Sequence, residues 1–425
     1  MLSLKAKELT HLAIGYFRVV QSIGEGGFGT VFEVVKRDCG VRYAMKSMKK
    51  KKLEEIMGDD WDSLVLNERQ VLSAVHHPLL INISYAFQNV HYLLLVMDLC
   101  PGGDLSAFGV GGDADSLSVT QVRFVGLEVV AVIAHLHKCQ VMFRDLKPAN
   151  LLLANDGHVR LIDFGIAKKS DGPVCEPTST AECGSRPYMA PEVASCFDTG
   201  KAYGAACDWF ALGTMLYEFT ERDYPYGDEP RFKNVEKEFV VPQLRTEDGR
   251  DEIPHMFDLL CGLLDWSPST RLCGNELREH PYWKDENSYT ADWEIVDKGL
   301  LPSPLMHIAE ERMERALKKA AASAGNWRRD EATLKLAKEL SAAAAQQAQV
   351  DALNEEGDET DEVEGAATRF GARSKSVLAT HQRTEALQAL ADLESDMRVD
   401  NWEFNSPHAI SREYMESHQD VVSVL

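Results

Sequence analysis

The sequence lacks the apolar runs that would place it across a membrane. No stretch reaches the roughly 18 uncharged apolar residues that a spanning helix needs, and the first residues, MLSLKAKE, have no apolar signal-peptide core. Cysteine pairs are also missing, because the nine cysteines are scattered, odd in number and never spaced as C-x-x-C. We therefore expect no transmembrane segment, no secretory leader, and a cytoplasmic protein with reduced thiols rather than a disulfide frame or a zinc site.

Positive charge is scarce as well. The chain has 45 lysines and arginines against 67 aspartates and glutamates, which gives a formal net charge of −22 at pH 7. A general nucleic-acid-binding surface needs a basic face, so we expect no nucleic-acid partner. With 425 residues and no internal repeat, the chain is long enough for two or three domains or lobes.

One stretch concentrates the polar residues that chemistry needs. It reads FRDLKPANLLLANDGHVRLIDFG over residues 143–165. Apolar runs at 151–153 and 159–162 flank an Asn-Asp-Gly turn, and this pattern predicts a β-hairpin. The hairpin would return Asp163 to the side of Asn150. An amide and a carboxylate are hard oxygen ligands of the kind that Mg²⁺ prefers.

The same stretch matches the catalytic loop and DFG motif of protein kinases. In that chemistry Asp145 accepts or orients the proton of the substrate hydroxyl, and Lys147 neutralises the γ-phosphate. Asn150 and Asp163 would hold the metal, and Arg144 usually draws an anion of the activation segment. A polar loop between core strands is the alternative, but it would not place all five residue types in register.

A glycine-rich motif lies near the start, GEGGFG at residues 24–29, between predicted strands at 19–23 and 31–36. Backbone amides can approach phosphates there because glycine has no β-carbon. Alone the motif is weak and a tight hairpin is the usual alternative. A dinucleotide-binding motif would open into a helix, whereas here a strand follows. With Ala44-Met-Lys46 downstream, the pattern matches the nucleotide loop of kinases.

Lys46 ends the run Tyr-Ala-Met-Lys within a strand predicted at 43–47. A strand is a poor place for an unpaired ammonium, so Lys46 needs an acidic partner. Glu68 is the candidate, because it lies among the apolar positions of a helix predicted at 63–75. The other acids considered are Glu54, Glu55 and Asp62, which we expect to be solvated. The basic run at 49–52 is interpreted as a solvated face.

A further strand is predicted at 91–99, and Pro-Gly-Gly at 101–103 follows it as a hinge. In a kinase this is the adenine-binding segment, with Met97 at the gatekeeper place. Asp104 has three readings: a ligand of ribose, a ligand of a basic substrate residue, or an N-cap. The predicted nucleotide-binding residues are Ile23, Gly24, Glu25, Gly26, Gly27, Phe28, Gly29, Thr30, Val31, Ala44, Lys46, Met97, Asp98, Cys100, Asp104 and Leu152.

The chain beyond the hinge has helical patterns. Ser118 with Gln121 has capping-box spacing ahead of a long apolar run, and residues 208–219 are apolar nearly all round, as in a buried helix. The kinase pattern assigns structural or regulatory roles in this part of the chain. In these roles Glu192 pairs with Arg271, Asp208 braces the catalytic loop, and Ser185 faces the substrate.

From Phe17 to about Pro304 the chain resembles the AGC group of protein kinases, and most of all the G-protein-coupled receptor kinases. The residues that carry the resemblance include LNER around Glu68, GHVR at 157–160 and GSRPYMAPE at 184–192. The resemblance implies an α+β bilobal kinase fold, with a small antiparallel β lobe and a larger helical lobe. It also implies ATP and Mg²⁺ as cofactors and protein substrates. Lys147-Pro-Ala-Asn implies serine or threonine rather than tyrosine as the acceptor.

Three positions depart from the pattern of the group. Ala181 stands where most members carry a phosphorylated threonine, so we expect activity without phosphorylation of the activation segment. Phe143 replaces the usual histidine or tyrosine, and an apolar ring should still fill that place. Ala149 replaces a glutamate that binds substrate arginine, which leaves Asp104 and Glu218 for that role. We expect no regulator-of-G-protein-signalling-like region before Phe17, and therefore no receptor substrate.

The remaining segments are less informative. The predicted divisions are an N-terminal segment at 1–16, a kinase domain at 17–283 (lobes 17–100 and 101–283), the start of an AGC-type tail at 284–305, a helical segment at 306–354, an acidic, disordered linker at 355–377 and a C-terminal tail at 378–425. Trp402 and Phe404 either dock on the small lobe, as that tail does in the family, or belong to an unrelated helix start. The ending VSVL has the form of a weak PDZ-domain ligand.

Two functions remain after this reading. The first is an active Ser/Thr protein kinase. The second is a pseudokinase that acts as a scaffold through nucleotide-gated protein binding. Pseudokinases usually lose at least one of four groups, and this chain retains Lys46, Asp145, Asn150 and Asp163.

Overall fold

The computed structural model describes residues 14–26, 29–58, 61–89, 91–170, 172–228, 255–284, 292–324 and 404–405. The chain divides into two compact units. The first unit comprises Met1–Asp62, Ile83–Leu99 and Lys319–Leu425, and the second comprises Ser63–Asn82 and Cys100–Lys318. Each unit is described by itself below.

The first unit is built on an antiparallel sheet. Its strands are β1 (Phe17–Glu25), β2 (Gly29–Lys36), β3 (Arg42–Lys49), β4 (Ile83–Gln88), β5 (Tyr92–Asp98) and β10 (Phe404–Asn405), in the order β1-β2-β3-β5-β4-β10. The four strands predicted from the sequence are all present, each within a few residues of its predicted bounds. Sequence reasoning missed β4 (ISYAFQ), in which large apolar residues alternate with small or polar ones and five of the six residues are buried.

The sheet curls until β1 contacts β4. The ring of Phe17 on β1 lies 5.9 Å from the ring of Tyr85 and 5.8 Å from the ring of Phe87, both on β4. Three strands separate β1 from β4 in the sheet, so this contact requires a concave face that closes on itself. Alternate side chains such as Tyr43 and Met45 fill that face and are 0% exposed. Ala44 lies between these two residues in the chain and Lys46 follows Met45, so both lie on the opposite face of β3.

The C-terminal strand β10 covers the outer edge of β4. Phe404 pairs with Ala86 and Asn405 with Tyr85 in antiparallel register. The backbone of the tail thus joins the sheet of the small lobe at the place where an unpaired strand edge would otherwise be exposed. This pairing supports the docking alternative for Phe404, while Trp402 lies outside the described residues.

The basic run at 49–52 is not the fully solvated face that the sequence suggested. It opens the helix α1 (Lys50–Met57), and Lys50 is only 1% exposed. Its ammonium donates to Gln88 Oε1 at 2.9 Å, within the first unit. A lysine can be buried in this way because its nitrogen keeps a hydrogen-bond partner.

The second unit is mainly helical. It also contains two short antiparallel strand pairs, β6 (Val141–Met142) with β9 (Lys168–Lys169) and β7 (Leu151–Leu153) with β8 (Val159–Leu161). Its longer helices are α2 (Trp61–Ala74, whose first two residues belong to the first unit), α3 (Val119–Lys138), α6 (Ala206–Glu221), α7 (Met256–Leu263) and α10 (Met306–Ala324, whose last six residues belong to the first unit). The shorter ones are α4 (Pro191–Ala194), α5 (Cys196–Thr199), α8 (Gly274–Glu279) and α9 (Trp293–Asp297). Residues 63–82, predicted within the small lobe, group with this unit because Asn67 Nδ2 donates to the Ala167 carbonyl at 2.8 Å and Ile81 N to the Leu161 carbonyl at 3.1 Å.

The helix α3 forms the core of the second unit together with α6. The predicted capping box is confirmed at its start: Ser118 N donates to Gln121 Oε1 at 2.8 Å, and Gln121 N donates to Ser118 Oγ at 3.3 Å. Among the described helices, α3 is the one with the length and composition to cross a membrane, but 67% of its most apolar window is buried inside the protein. Such burial is typical of a core helix.

The helix α9 lies within the predicted tail start, and the predicted helical segment follows it. Ser303 Oγ donates to the Gly157 carbonyl at 2.6 Å, which ties the tail start to the hairpin turn. The helix α10 begins at Met306, where the helical segment was predicted, and is described to Ala324. The rest of that segment, the acidic linker and the last four residues lie outside the described residues. All nine cysteines are free thiols.

The curled core yields a test of stability. We expect Phe17→Ala to lower the free energy of unfolding by about 3–5 kcal/mol, because the residue is 4% exposed and its ring joins β1 to β4 across the concave face. Urea unfolding followed by circular dichroism measures this change. Tyr16→Ala is the matched control, since that neighbouring ring is 46% exposed. Equal effects of the two substitutions would contradict a closed core.

Candidate functional site

The hairpin between β7 (Leu151–Leu153) and β8 (Val159–Leu161) positions two of the predicted site residues. Gly157 takes φ +76° in the turn, a conformation that suits glycine. After β8 the chain returns beside the start of β7, where Ile162 N donates to the Asn150 carbonyl at 2.9 Å. The hairpin therefore brings the backbone of Asp163 next to Asn150, as the turn pattern predicted.

Asp145 lies at the centre of a network within the second unit. Asn150 Nδ2 donates to Asp145 Oδ2 at 2.9 Å and Lys147 Nζ to the same oxygen at 2.8 Å. Ser185 donates to the other oxygen, Oδ1, from its amide at 3.0 Å and from its hydroxyl at 2.8 Å. Lys147 Nζ also donates to Ser185 Oγ at 2.7 Å. Both carboxylate oxygens are thus held in place by groups from two separate segments.

Asp208 fixes the backbone that carries Asp145. Its side chain is fully buried, and it accepts hydrogen bonds from Phe143 N at 3.0 Å and Arg144 N at 2.7 Å. His137 Nε2 lies 2.7 Å from the same carboxylate. These contacts give Asp208 the bracing position predicted for it. Sequence reasoning missed His137, whose helix position gave no signal of this partner.

Two residues of the site hold unusual backbone angles. Arg144 has φ +71° and Asp163 has φ +66°, in the left-handed region that non-glycine residues rarely occupy. Such conformations persist where surrounding contacts over-determine them, and they cluster at functional sites. The contacts at Arg144 are the two amide bonds to Asp208 described above.

The guanidinium of Arg144 contacts neutral groups. It donates from Nε to the Ile166 carbonyl at 2.7 Å, and from Nη1 to Ser179 Oγ at 2.9 Å and to the Tyr203 hydroxyl at 3.3 Å. We expected an anion of the activation segment at this arginine, and sequence reasoning identified neither Ser179 nor Tyr203. The contact joins residues far apart in the chain, which no local pattern reports.

An apolar stack lies under the network. The rings of Phe143 and Phe164 are both 0% exposed and meet edge to face, with centroids 5.1 Å apart. The phenyl ring at position 143 thus fills an apolar site, as the sequence suggested. An edge-to-face pair of this kind adds to the stabilisation from burial.

Glu192 and Arg271 form the predicted ion pair. Arg271 donates to both carboxylate oxygens, from Nη1 at 2.6 Å and from Nη2 at 2.9 Å. Its side chain is completely buried, and it donates further to the Ala206 carbonyl at 2.9 Å. The pair connects the start of α4 to the segment before α8.

The two acids considered for substrate arginine are engaged internally. Glu218 is 3% exposed and accepts from the Tyr188 hydroxyl at 2.6 Å and from Val110 N at 3.0 Å, and burial raises the pKa of its carboxyl. Asp104 accepts from Ser106 N at 2.9 Å, a contact of the capping kind. Its carboxylate remains on the surface. Of the two, Glu218 is therefore not available to a substrate.

The predicted nucleotide residues divide between the units. In the first unit Gly24 pairs with Val31, and Ala44 pairs with Met97. Only glycine fits at position 29, because a β-carbon there would lie 2.1 Å from the Ser47 carbonyl oxygen. The other described residues of this set are Ile23, Glu25, Gly26, Thr30, Lys46 and Asp98 in the first unit and Cys100, Asp104 and Leu152 in the second, whereas Gly27 and Phe28 lie outside the described residues.

The pairing of Lys46 with Glu68 stays a prediction. Lys46 lies on β3 of the first unit, and Glu68 lies on α2 in the second unit. Glu68 is 5% exposed, so its place among apolar positions is as expected. Its rivals Glu54 and Glu55 are exposed on α1, and Asp62 is exposed as well.

The sequence has relatives among known proteins. A model of the protein kinase domain matches residues 17–283. The chain is 32% identical over 305 residues to a RAC family serine/threonine-protein kinase homolog of Dictyostelium discoideum, covering 71% of this chain and 64% of that one. It is 35% identical over 308 residues to the human beta-adrenergic receptor kinase 1, covering 70% and 42% respectively. The predicted resemblance is confirmed.

A plant kinase is similar over a comparable stretch. The serine/threonine-protein kinase AtPK1/AtPK6 of Arabidopsis thaliana is 32% identical over 286 residues, covering 65% of this chain and 57% of that one. The chain thus spans less than two thirds of the length of the relatives it matches.

The buried ion pair gives a test of the site's framework. We expect Glu192→Gln to lower the free energy of unfolding by about 3 kcal/mol, because it leaves the buried guanidinium of Arg271 without a counter-charge. Glu294→Gln is the control: its partner is Lys298, both side chains are more than half exposed, and its effect should stay within about 0.5 kcal/mol. Urea denaturation measures the free energy of unfolding of both variants. Similar losses in the two would contradict a larger contribution from the buried pair.

Proposed function

Because the chain belongs to the protein kinase domain family, we propose that it is a serine/threonine protein kinase that transfers the γ-phosphate of ATP to protein hydroxyls. The observation that carries the proposal is the placement of Ser185. Its hydroxyl donates to Asp145 Oδ1 and accepts from Lys147 Nζ at the same time. A substrate hydroxyl needs the same contact to the carboxylate when it attacks phosphorus, and the neighbouring ammonium would then lie beside the transferred phosphate.

The mechanism follows from these residues. The substrate oxygen attacks the γ-phosphorus of ATP while its proton moves to Asp145, and the bond from phosphorus to the leaving oxygen of ADP breaks. Asn150 fixes Asp145 by donating to its carbonyl oxygen at 2.8 Å as well as to its carboxylate. Lys147 places a positive charge beside the reacting group. Positioning and charge neutralisation supply most of the acceleration.

The donor set suits a magnesium ion. The amide nitrogen of Asn150 is used by Asp145, which leaves its amide oxygen as a ligand, and the exposed carboxylate of Asp163 follows on the adjacent strand end. Amide and carboxylate oxygens are preferred by hard divalent cations. When bound, the ion would neutralise phosphate charge and orient the nucleotide. Lys46 and the glycine-rich residues are proposed as further nucleotide ligands.

The substrate class follows in part from the site. The hydrogen bond from Lys147 to Ser185 supports serine and threonine acceptors, and two of the relatives named above are serine/threonine kinases by name. Ala149 offers no acid, and Glu218 is buried, so we propose no strong requirement for arginine in the substrate. The pseudokinase alternative has no supporting observation. The free cysteines are compatible with the proposed cytoplasmic location.

Phosphate transfer from labelled ATP to a degenerate Ser/Thr peptide library tests the proposal. Wild type should label peptides, and EDTA should abolish the labelling. Asp145→Asn should lower kcat by ~10²–10⁴-fold, because the proton acceptor is lost. Asp163→Asn should lower kcat by at least about 10²-fold.

The matched control is Asp115→Asn, which changes an exposed carboxylate of the same unit and should leave kcat unchanged. Binding of an ATP analogue is measured in parallel by fluorescence. If wild type binds the analogue but labels no peptide, the protein is not an active kinase and the proposal fails.

A further inference from the structure

One tyrosine, Tyr203, holds residues 178–181 of the activation segment to the chain just before α6. Ser179 and Tyr203 exchange two backbone hydrogen bonds, Ser179 N to the Tyr203 carbonyl at 3.1 Å and Tyr203 N to the Ser179 carbonyl at 2.8 Å. Thr178 N donates to the same Tyr203 carbonyl at 2.9 Å. The segment therefore forms a short bridge with the chain just before α6.

The side chain of Tyr203 extends this bridge to the catalytic loop. Its hydroxyl donates to the Ala181 carbonyl at 2.7 Å and accepts from Arg144 Nη1 at 3.3 Å. The residue is 2% exposed, and burial raises the pKa of its phenol, so the hydroxyl keeps its proton. One hydroxyl thus joins position 181, in the activation segment, to Arg144, next to Asp145.

Ser179 provides the second neutral partner. Its hydroxyl accepts from Arg144 Nη1 at 2.9 Å, and the residue is 2% exposed. A modifying enzyme could reach this hydroxyl only after the bridge opened. Arg144 therefore has its partners supplied by the chain itself, with no added negative charge.

We propose that Tyr203, together with Ser179, is a positioning residue that replaces an activation-segment phosphate by holding Arg144 and residue 181 with neutral hydroxyls. The proposal rests on the proposed kinase function, because it acts through Arg144 on the neighbouring Asp145. Three hydrogen bonds from one guanidinium to two hydroxyls and a carbonyl fix its plane without an ion pair. The segment is thus ordered in the unmodified protein.

The test uses the full chain after phosphatase treatment, with mass spectrometry to verify that 172–185 carries no phosphate. We expect Tyr203→Phe to lower kcat for peptide phosphorylation about tenfold, as expected for one hydrogen bond to a charged group. The KM for ATP should change by less than about threefold, because the nucleotide ligands are untouched. Tyr282→Phe is the control: it removes a buried tyrosine hydroxyl of the same unit that faces Arg123 rather than Arg144.

A rescue separates positioning from general loosening of the fold. Ser179→Asp in the Tyr203→Phe background puts a carboxylate beside Arg144 and should restore kcat to within about threefold of wild type, because a charged pair replaces the lost hydroxyl. Ser179→Ala in the same background should lower kcat further. Unchanged kcat in Tyr203→Phe, or failure of the Ser179→Asp rescue, would overturn the proposal.

Hydrogen exchange tests the contact between Tyr203 and the activation segment independently of kinase activity. In Tyr203→Phe the amides of residues 178–185 should exchange about tenfold faster, while those of α3 stay unchanged. If wild type transfers no phosphate, the kinase function fails, but unchanged exchange in the variant would still refute the bridge. Wild-type activity that requires phosphate on 172–185 would refute the replacement of phosphate.

Discussion

The arrangement of side chains around Asp145 depends on the hydrogen bonds to the buried carboxylate of Asp208. Burying a carboxylate, here on a residue that is 1% exposed, costs folding free energy unless its oxygens have hydrogen-bond partners. The oxygens of Asp208 accept hydrogen bonds from two consecutive backbone amides and lie beside an imidazole nitrogen. The amides belong to Phe143 and Arg144, so the strained turn that presents Asp145 is fixed at its base. Without this brace the left-handed angle of Arg144 would relax, and the network around Asp145 would lose its register.

Three further sets of contacts stabilise the chain around Asp208. Below it, the paired rings of Phe143 and Phe164 provide an apolar floor. Beside it, Arg144 reaches the activation segment through hydroxyls. Farther away, the Glu192–Arg271 pair secures the end of that segment. Each set acts on a different part of the site, so the geometry at Asp145 is the sum of local and long-range contacts.

The parts of the site that the sequence could predict are those set by local pattern. The hairpin at 151–161, the capping box of α3 and the adjacency of Asn150 and Asp163 all follow from residues close together in the chain. The strand β4 was missed because five of its six residues are buried, so that neither face carries the charged residues that mark a half-exposed strand. Tyr203 was missed for another reason: its role exists only after the fold brings it to Arg144. Lys50 was misread because charge composition does not report which lysine of a run points inward.

The pairing of β10 with β4 has a consequence for how the protein is made. The strand that completes the sheet of the first unit follows β5 in the chain by about three hundred residues. During synthesis the ribosome therefore releases β1–β5 long before their last partner exists, and domains begin to fold as they emerge. Through that interval β4 presents a free edge that can recruit a strand from another nascent chain. Closing so long a loop for a strand of two residues also makes its docking a late event in folding.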